Sequence, residues 1–282
     1  MLSLGRTRLV TLGSSDSERL RALIDTDPAQ NIFLGSRLEQ LGLGPAAMGC
    51  QVLGYERRGR LVAALHCGVN LYLLGDDADA LDAFVAQMGP RVHTKSIVGP
   101  AGVAPRFHER LVERWGSSWA SPRSQRPHQP VMRLDEEPRG PRDDRVHRIG
   151  VMEADVYYQA SVSMYSEEVG VSPLDASGSY RSYVHLLIRQ GRSFGAIEDG
   201  RCWFKADAGS VYGRYCQVQG VWLDPARRGR GLSEPAVAQA VALARQTHPV
   251  VTLYVNDYNV RALALYKRLG FVQVGELSTI LF

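Results

Sequence analysis

The sequence predicts an α/β protein built as two like halves, each a mixed and mostly antiparallel sheet flanked by helices. Three observations predict it. Apolar residues switch between the period of a strand and that of a helix along most of the chain. The order of elements in the first half returns in the second. A turn, Glu56-Arg57-Arg58-Gly59-Arg60, also has its counterpart in Glu198-Asp199-Gly200-Arg201, where Asp-Gly is the signal of a tight hairpin. The 282 residues leave room for two such units, at ~100–200 residues per domain.

The elements follow in order. In the first half, Ile32, Leu34, Leu38 and Leu41 give 28–41 helical spacing. Strands are expected over 51–56, 60–67 and 69–74, a helix over 78–88, a strand over 94–98, a helix over 103–115 and a closing strand over 131–134. In the second half, helices are expected over 156–168 and 179–190 and strands over 193–198, 202–206 and 215–223. A helix over 233–246, a strand over 250–255, a helix over 259–269 and a strand over 271–275 complete it. Between the halves, five of the 14 prolines crowd into 122–141 beside several arginines, the composition of a solvated linker. The domains expected are therefore 1–138 and 139–282, a tandem duplication of one unit.

Composition excludes several classes. Hydrophobic residues at 45% and charged residues at 22% are ordinary globular usage, which disfavours a disordered or fibrous chain. No run approaches the ~20 apolar residues of a bilayer span, and 1–15 lack the apolar stretch of a secretory signal. Cys50, Cys67, Cys202 and Cys216 lie far apart without a C-x-x-C pair, which suits a reducing, cytoplasmic location. A net charge of 33 − 29 = +4 allows an anionic ligand without marking a nucleic-acid binder. The seven histidines form no H-x-x-x-H pair, so no metal is expected.

Chemistry concentrates in Val221-Trp222-Leu223-Asp224-Pro225-Ala226-Arg227-Arg228-Gly229-Arg230-Gly231-Leu232-Ser233. An apolar strand ends, a basic glycine-rich loop follows, and Pro235 marks the first turn of a helix. Gly229 to Ser233 then lie where free N–H groups and the positive end of the helix dipole meet, and arginines add charge: a diphosphate cradle. The competing reading is a flexible basic turn capped by Ser233. It is neither a Walker loop nor a dinucleotide fingerprint, since Glu234 stands where the third glycine would be. Downstream, Asn259, Ala262 and Tyr266 share a helix face, and Gly270 ends that helix. Tyr266 read alone is a packed aromatic, and Asn259 read alone is an N-cap.

Together, Arg228-x-x-Gly231-x-Ser233 and Asn259-x-x-Ala262-x-x-x-Tyr266-x-x-x-Gly270-Phe271 resemble the GNAT acyltransferase superfamily over about 144–282. The Glu167-Glu168-Val169-Gly170-x-Ser172-Pro173 segment resembles an actinobacterial subgroup with a GNAT-like N-terminal domain of unknown function. The resemblance implies a tandem GNAT-like fold and an N-acetyltransferase that uses acetyl-CoA as cosubstrate. A primary amine on a small molecule, lysine or protein N-terminus would attack the thioester directly. Arg228, Gly229, Arg230, Gly231, Leu232 and Ser233 would hold the diphosphate. Backbone groups of Val221 and Leu223, where two strands splay, would hold pantetheine and stabilise the oxyanion. Asn259 would hold the cofactor, and Tyr266 would be the general acid for the departing thiolate.

The base is less defined. The strand before the loop, Tyr215-Cys216-Gln217-Val218-Gln219-Gly220, carries no carboxylate. Glu168, then Glu167, are the candidates for base or amine recognition, against the plain reading of a solvated face; two acids at a helix C-terminus oppose its dipole. The alternatives are a non-catalytic acyl-CoA sensor or partner-binding protein and a mycothiol-synthase-like amino-sugar acetyltransferase. A homodimer is left open. In the first half, Asp76, Asp77 and Asp79 stand where the loop would be, and no CoA site is expected there.

Overall fold

The computed structural model describes residues 7–174 and 178–282. Its strands are β1 (Thr7–Thr11), β2 (Val52–Arg57), β3 (Arg60–Cys67), β4 (Asn70–Leu74), β5 (Ser96–Pro100), β6 (Ser124–Leu134), β7 (His147–Arg148), β8 (Ser193–Glu198), β9 (Arg201–Tyr212), β10 (Tyr215–Leu223), β11 (Val250–Tyr254) and β12 (Val272–Leu281). The helices are α1 (Ser17–Ile24), α2 (Ile32–Leu41), α3 (Pro45–Met48), α4 (Ala78–Gln87), α5 (Ala104–Trp115), α6 (Ala154–Val169), α7 (Ser179–Arg189), α8 (Ser233–Arg245) and α9 (Val260–Leu269). The chain forms two compact units.

The first unit comprises 1–131, 254–258 and 273–282. Its strands run in the order β1-β2-β3-β4-β5-β12-β6. β2, β3 and β4 form an antiparallel meander, and β4 pairs in parallel with β5 across the helix α4, as a parallel connection requires. α4 and α5 bury Leu81, Phe84, Phe107 and Leu111 against Leu65, Leu73 and Ile97 of the sheet. β12 then pairs antiparallel with β5 from Leu277↔Pro100 to Leu281↔Ser96 and brings Ile280 into this core. Phe282 stands edge-on to Trp119, whose indole donates to the Gly89 carbonyl.

The second unit comprises 132–253 and 259–272. β8, β9 and β10 repeat the antiparallel meander, and β10 pairs in parallel with β11 across α8. The same connectivity thus occurs twice, in the α/β class and with the mixed, mostly antiparallel sheets expected. The inner face of α8 is mostly alanine (Ala236, Ala238, Ala240, Ala244), and all of it is buried, so the helix axis can lie close to the strands. On α6, Tyr157 and Ala160 are buried in a cluster with Val184 and Ile188 of α7.

Several expectations change. The proline-rich segment read as linker is largely the 11-residue strand β6. Proline lacks an N–H but keeps its carbonyl, and Pro130 accepts from the Val255 amide at 3.2 Å. The units divide at Val131/Met132, where 138/139 was expected, and the last ten residues complete the first sheet. β1 and α1 were not anticipated, because β1 is short and mostly exposed and the sequence Ser-Glu-Arg-Leu-Arg-Ala-Leu-Ile has a narrow apolar stripe. β9 and β12 run well past 206 and 275. The helix expected from 28 begins at Ile32.

Because β12 supplies core to the first unit, Ile280→Ala is expected to cost about 2–4 kcal/mol of stability. Urea unfolding followed by tryptophan fluorescence measures it, and a loss below half a kcal/mol would contradict this placement of the strand.

Candidate functional site

The site begins where β10 and β11 stop pairing. Their ladder has three pairs, Tyr215↔Val250, Cys216↔Val251 and Gln217↔Thr252, yet β10 continues to Leu223, about 20 Å farther at ~3.3 Å per residue. On its other edge β10 stays with β9, through two register shifts. At the second, Gly220 and Val221 lie between Gln219↔Asp207 and Trp222↔Lys205. This is a β-bulge, which bends and twists a strand, and Gly220 takes φ +58 within it. The Asp224 amide donates to the Trp203 carbonyl on β9 at 2.8 Å. By alternation from Asp224, the Leu223 amide turns from β9 toward the side β11 has left, while Val221 lies within the bulge.

The first unit shows what closes such a gap. Its β4–β5 ladder also has three pairs. Beyond them, a Cβ on Gly99 would lie 2.9 Å from the Leu73 Cβ, so those strands stay in contact. After β4, Asp77 caps α4 by accepting from the Ala80 amide at 3.0 Å and is gripped by Arg57. Asp79 also pairs with Arg57, and Asp76 with Arg106. The helix start that would face a phosphate is occupied by carboxylates.

After β10, the Asp224 carboxylate accepts from the Ala226 amide at 2.8 Å and caps the turn Pro225–Arg227. Gly229 and Gly231 follow at φ +75 and +74, and no heavy atom lies within 4 Å of where their Cβ would be. Positive φ at alternate residues is open to glycine and turns successive amides inward, an anion-binding nest. Leu232 stands at the N-cap of α8 with no side-chain cap, leaving the first-turn amides available. The loop is exposed and the helix has 13 residues. Ser233 is thus the first helical residue and does not cap the helix. Glu234, in the first turn, is paired with Arg268 at 2.7 Å.

The arginines divide. Arg227 pairs with Glu198 at 2.6 Å and lies over the Trp203 ring. Arg228 holds both oxygens of Glu167, at 2.7 and 2.8 Å, and donates through Nε to the Leu223 carbonyl at 3.0 Å. Its side chain is committed to α6 and β10, so its part in holding a ligand runs through the shape of the loop. Among the described residues Arg230 makes no ion pair, and it lies exposed in the loop.

Glu167 also accepts from the Trp222 indole at 3.0 Å. The Arg228 guanidinium holds its carboxyl below the usual carboxylate range, and its contacts with Arg228 and Trp222 give Glu167 a bracing role. Glu168, exposed on the same last turn of α6, acts by its charge on Tyr266. Tyr266 is buried, edge-on to Phe271 at 5.8 Å. Burial first, and then the Glu168 charge, push its phenol above the ordinary tyrosine value. Tyr266 is thus a packed aromatic whose phenol keeps its proton well above neutral pH. Asn259 caps α9, accepting from the Ala262 amide at 3.2 Å.

The structure adds groups that motif reading did not find. Lys205, fully buried at 0% exposure, donates to Asp207 at 2.7 Å and to the Gly220 carbonyl at 3.1 Å. Asp207 also accepts from the Tyr157 and Ser193 hydroxyls at 2.8 and 2.6 Å. The signal was present as Lys and Asp two apart in the otherwise apolar run Trp203-Phe204-Lys205-Ala206-Asp207, since buried charges are seldom unpaired. Among the described residues no cluster of three or more His, Cys, Asp or Glu could hold a metal, and no helix is long and apolar enough to cross a membrane.

With this geometry in place, similarity to known proteins is informative. Residues 154–271 match the acetyltransferase (GNAT) family, and residues 50–157 match a domain of unknown function, DUF4081. An acetyltransferase of the GNAT family from Colwellia psychrerythraea shares the fold at TM-score 0.58 and 13% identity, over 98% of this chain and 99% of that one. A GCN5-related N-acetyltransferase from Sphaerobacter thermophilus shares it at TM-score 0.62 and 15% identity, over 97% and 95%. A Drosophila protein does so at 0.66 and 18%, over 97% and 98%. A mycothiol acetyltransferase from Acidimicrobium ferrooxidans is 40% identical over 82 residues, 27% of this chain and 26% of that protein. The chain thus matches about a quarter of that relative's length. Residues 154–271 are thus assigned to the acetyltransferase (GNAT) family, and the residues before them match a domain of unknown function.

Proposed function

We propose that the second unit transfers an acetyl group from acetyl-CoA to a primary amine, by direct attack of the amine on the thioester carbonyl. The observation that carries this reading is the adjacency of an unpaired strand edge, Val218 to Leu223, and an uncapped helix start preceded by two left-handed glycines. The residues fit the ligand. Amides from Gly229 to Ser233 and the Arg230 charge suit a diphosphate. The free edge of β10 suits an amide-bearing arm that adds its own hydrogen bonds, as any strand edge does.

In the reaction a C–N bond forms and the C–S bond breaks. The carbonyl oxygen gains charge as the amine adds, and the Val221 amide is the donor placed to meet it. The thiolate needs a proton. Tyr266 keeps its proton across neutral pH; burial raises its phenol further above a thiol's ordinary value, so the transfer depends on the departing thiolate being desolvated in the same site. Glu168 is the acceptor for the amine's proton or the group that draws a cationic amine in. Glu167 holds Arg228 and Trp222, and Asn259 shapes the start of α9 beside the cofactor. The similarity to a mycothiol acetyltransferase favours, as a second reading, an amino-sugar thiol as the acceptor.

Three outcomes test this. Calorimetry with acetyl-CoA is expected to give one site per chain, weakened about 5- to 30-fold in Arg230→Ala by the loss of a charge-assisted hydrogen bond; two sites would contradict the assignment to the second unit. In assays of thiol release across amines, peptides and amino sugars, Tyr266→Phe is expected to lower kcat by about 10²–10⁴ with little change in KM. Tight binding without turnover of any amine would instead establish a non-catalytic acyl-CoA sensor. Because the Tyr266 phenol titrates above its ordinary value of 10.0, the kcat profile should show no Tyr266-dependent fall below pH ~10. A limb near pH 8 that vanishes in Tyr266→Phe would refute the burial-raised phenol.

A further inference from the structure

We propose that Lys205 is a positioning residue that locks the Gly220–Val221 peptide so that the Val221 amide faces the reacting carbonyl. The inference rests on the acetyl-transfer reading for its chemistry, while the lock itself is a matter of backbone geometry.

A trans peptide is planar, and its C=O and N–H point in opposite directions. The Gly220 carbonyl accepts from the Lys205 ammonium at 3.1 Å, so it is aimed into the buried layer beneath the bulge. The Val221 N–H of the same peptide is thereby aimed the opposite way, out of that layer. A bulge is where a strand has the fewest ladder bonds to fix its peptides, and a glycine at φ +58 lacks the Cβ that restricts rotation. Without a grip on its carbonyl this peptide is free to turn.

The grip is itself held. Asp207 takes the ammonium at 2.7 Å and is in turn held by the Tyr157 and Ser193 hydroxyls. The ammonium lies 5.3 Å from the centre of the Tyr157 ring, a cation–π arrangement. A Cβ at position 220 would come to 3.0 Å from both Lys205 Nζ and Met164 Cε, so it would press on the ammonium, and the left-handed φ itself favours glycine there. Buried ion pairs add little net stability compared with apolar packing. Placing one beneath this bulge is explained by the orientation it imposes on one peptide.

The test compares Lys205→Met/Asp207→Asn with the wild type. The double change removes the lock without leaving a buried unpaired carboxylate, and Asn keeps an acceptor for Tyr157 and Ser193. The readouts are a crystal structure of each variant, amide exchange at Val221, the acetyl-CoA Kd and kcat. In the double variant the 220–221 peptide should rotate and the Val221 exchange rate should change. Its kcat should fall about 100-fold below that of the wild type, the usual loss of one oxyanion donor, with Kd within about twofold. Gly220→Ala, which pushes its Cβ against the ammonium, should show the same split between kcat and Kd and serves if the double variant does not fold. An unrotated peptide in the double variant, or a kcat within about threefold of the wild type's, overturns the proposal. If the wild-type chain releases no thiol with any amine, the acetyl-transfer reading fails, and the orientation of the peptide still decides the lock.

Discussion

The second unit depends on a ladder that stops early. After three parallel pairs β10 goes on alone along one edge, in a sheet where unpaired amides and carbonyls are costly unless something satisfies them. Two features keep the edge open. The bulge at Gly220 and Val221 turns β10 aside, and the turn capped by Asp224 carries the chain into α8 before β11 can rejoin it. The unsatisfied groups are therefore placed in register with the uncapped start of a helix, and a ligand with a polar arm and an anionic end can satisfy both sets.

The two units make an internal comparison. Both have the meander, the parallel pair and the crossover helix, yet only the second combines a diverging pair with an uncapped, glycine-lined helix start. In the first, Leu73 packs against Gly99 and the gap is closed, while Asp77 caps α4 and Arg57 neutralises it. The same architectural position is a self-satisfied joint in one unit and an uncapped, exposed loop in the other. The difference lies in a few side chains and not in topology.

Charge assignment follows a similar logic. A basic loop invites the view that every arginine meets the ligand, yet Arg227 and Arg228 are engaged by Glu198 and Glu167. Exposed pairs of this kind add little stability; their effect is to give the loop one conformation. The carboxylates that oppose the dipole of α6 serve different ends: Glu167 anchors Arg228, and the charge of Glu168 bears on the Tyr266 phenol.

Local pattern was sufficient for much of this. The hairpin turns, the strands 60–67, 193–198 and 215–223, the loop from Arg228 to Ser233 and the cap at Asn259 each depend on residues within a few positions of one another, so spacing and turn chemistry determine them. Non-local pairing is another matter. That β6 is a long strand despite Pro127 and Pro130, and that β12 completes the first unit, follows from partners more than a hundred residues away: Thr279 donates to Gln129 at 2.6 Å, and β12 pairs with β5. The network beneath Gly220 is of the same kind, joining α6, β8, β9 and β10 through Tyr157, Ser193, Lys205 and Asp207. A sequence states which residues can bear charge or accept a proton. Only the folded chain decides which of those charges meet one another, because burial and partner choice depend on elements that sequence distance keeps apart.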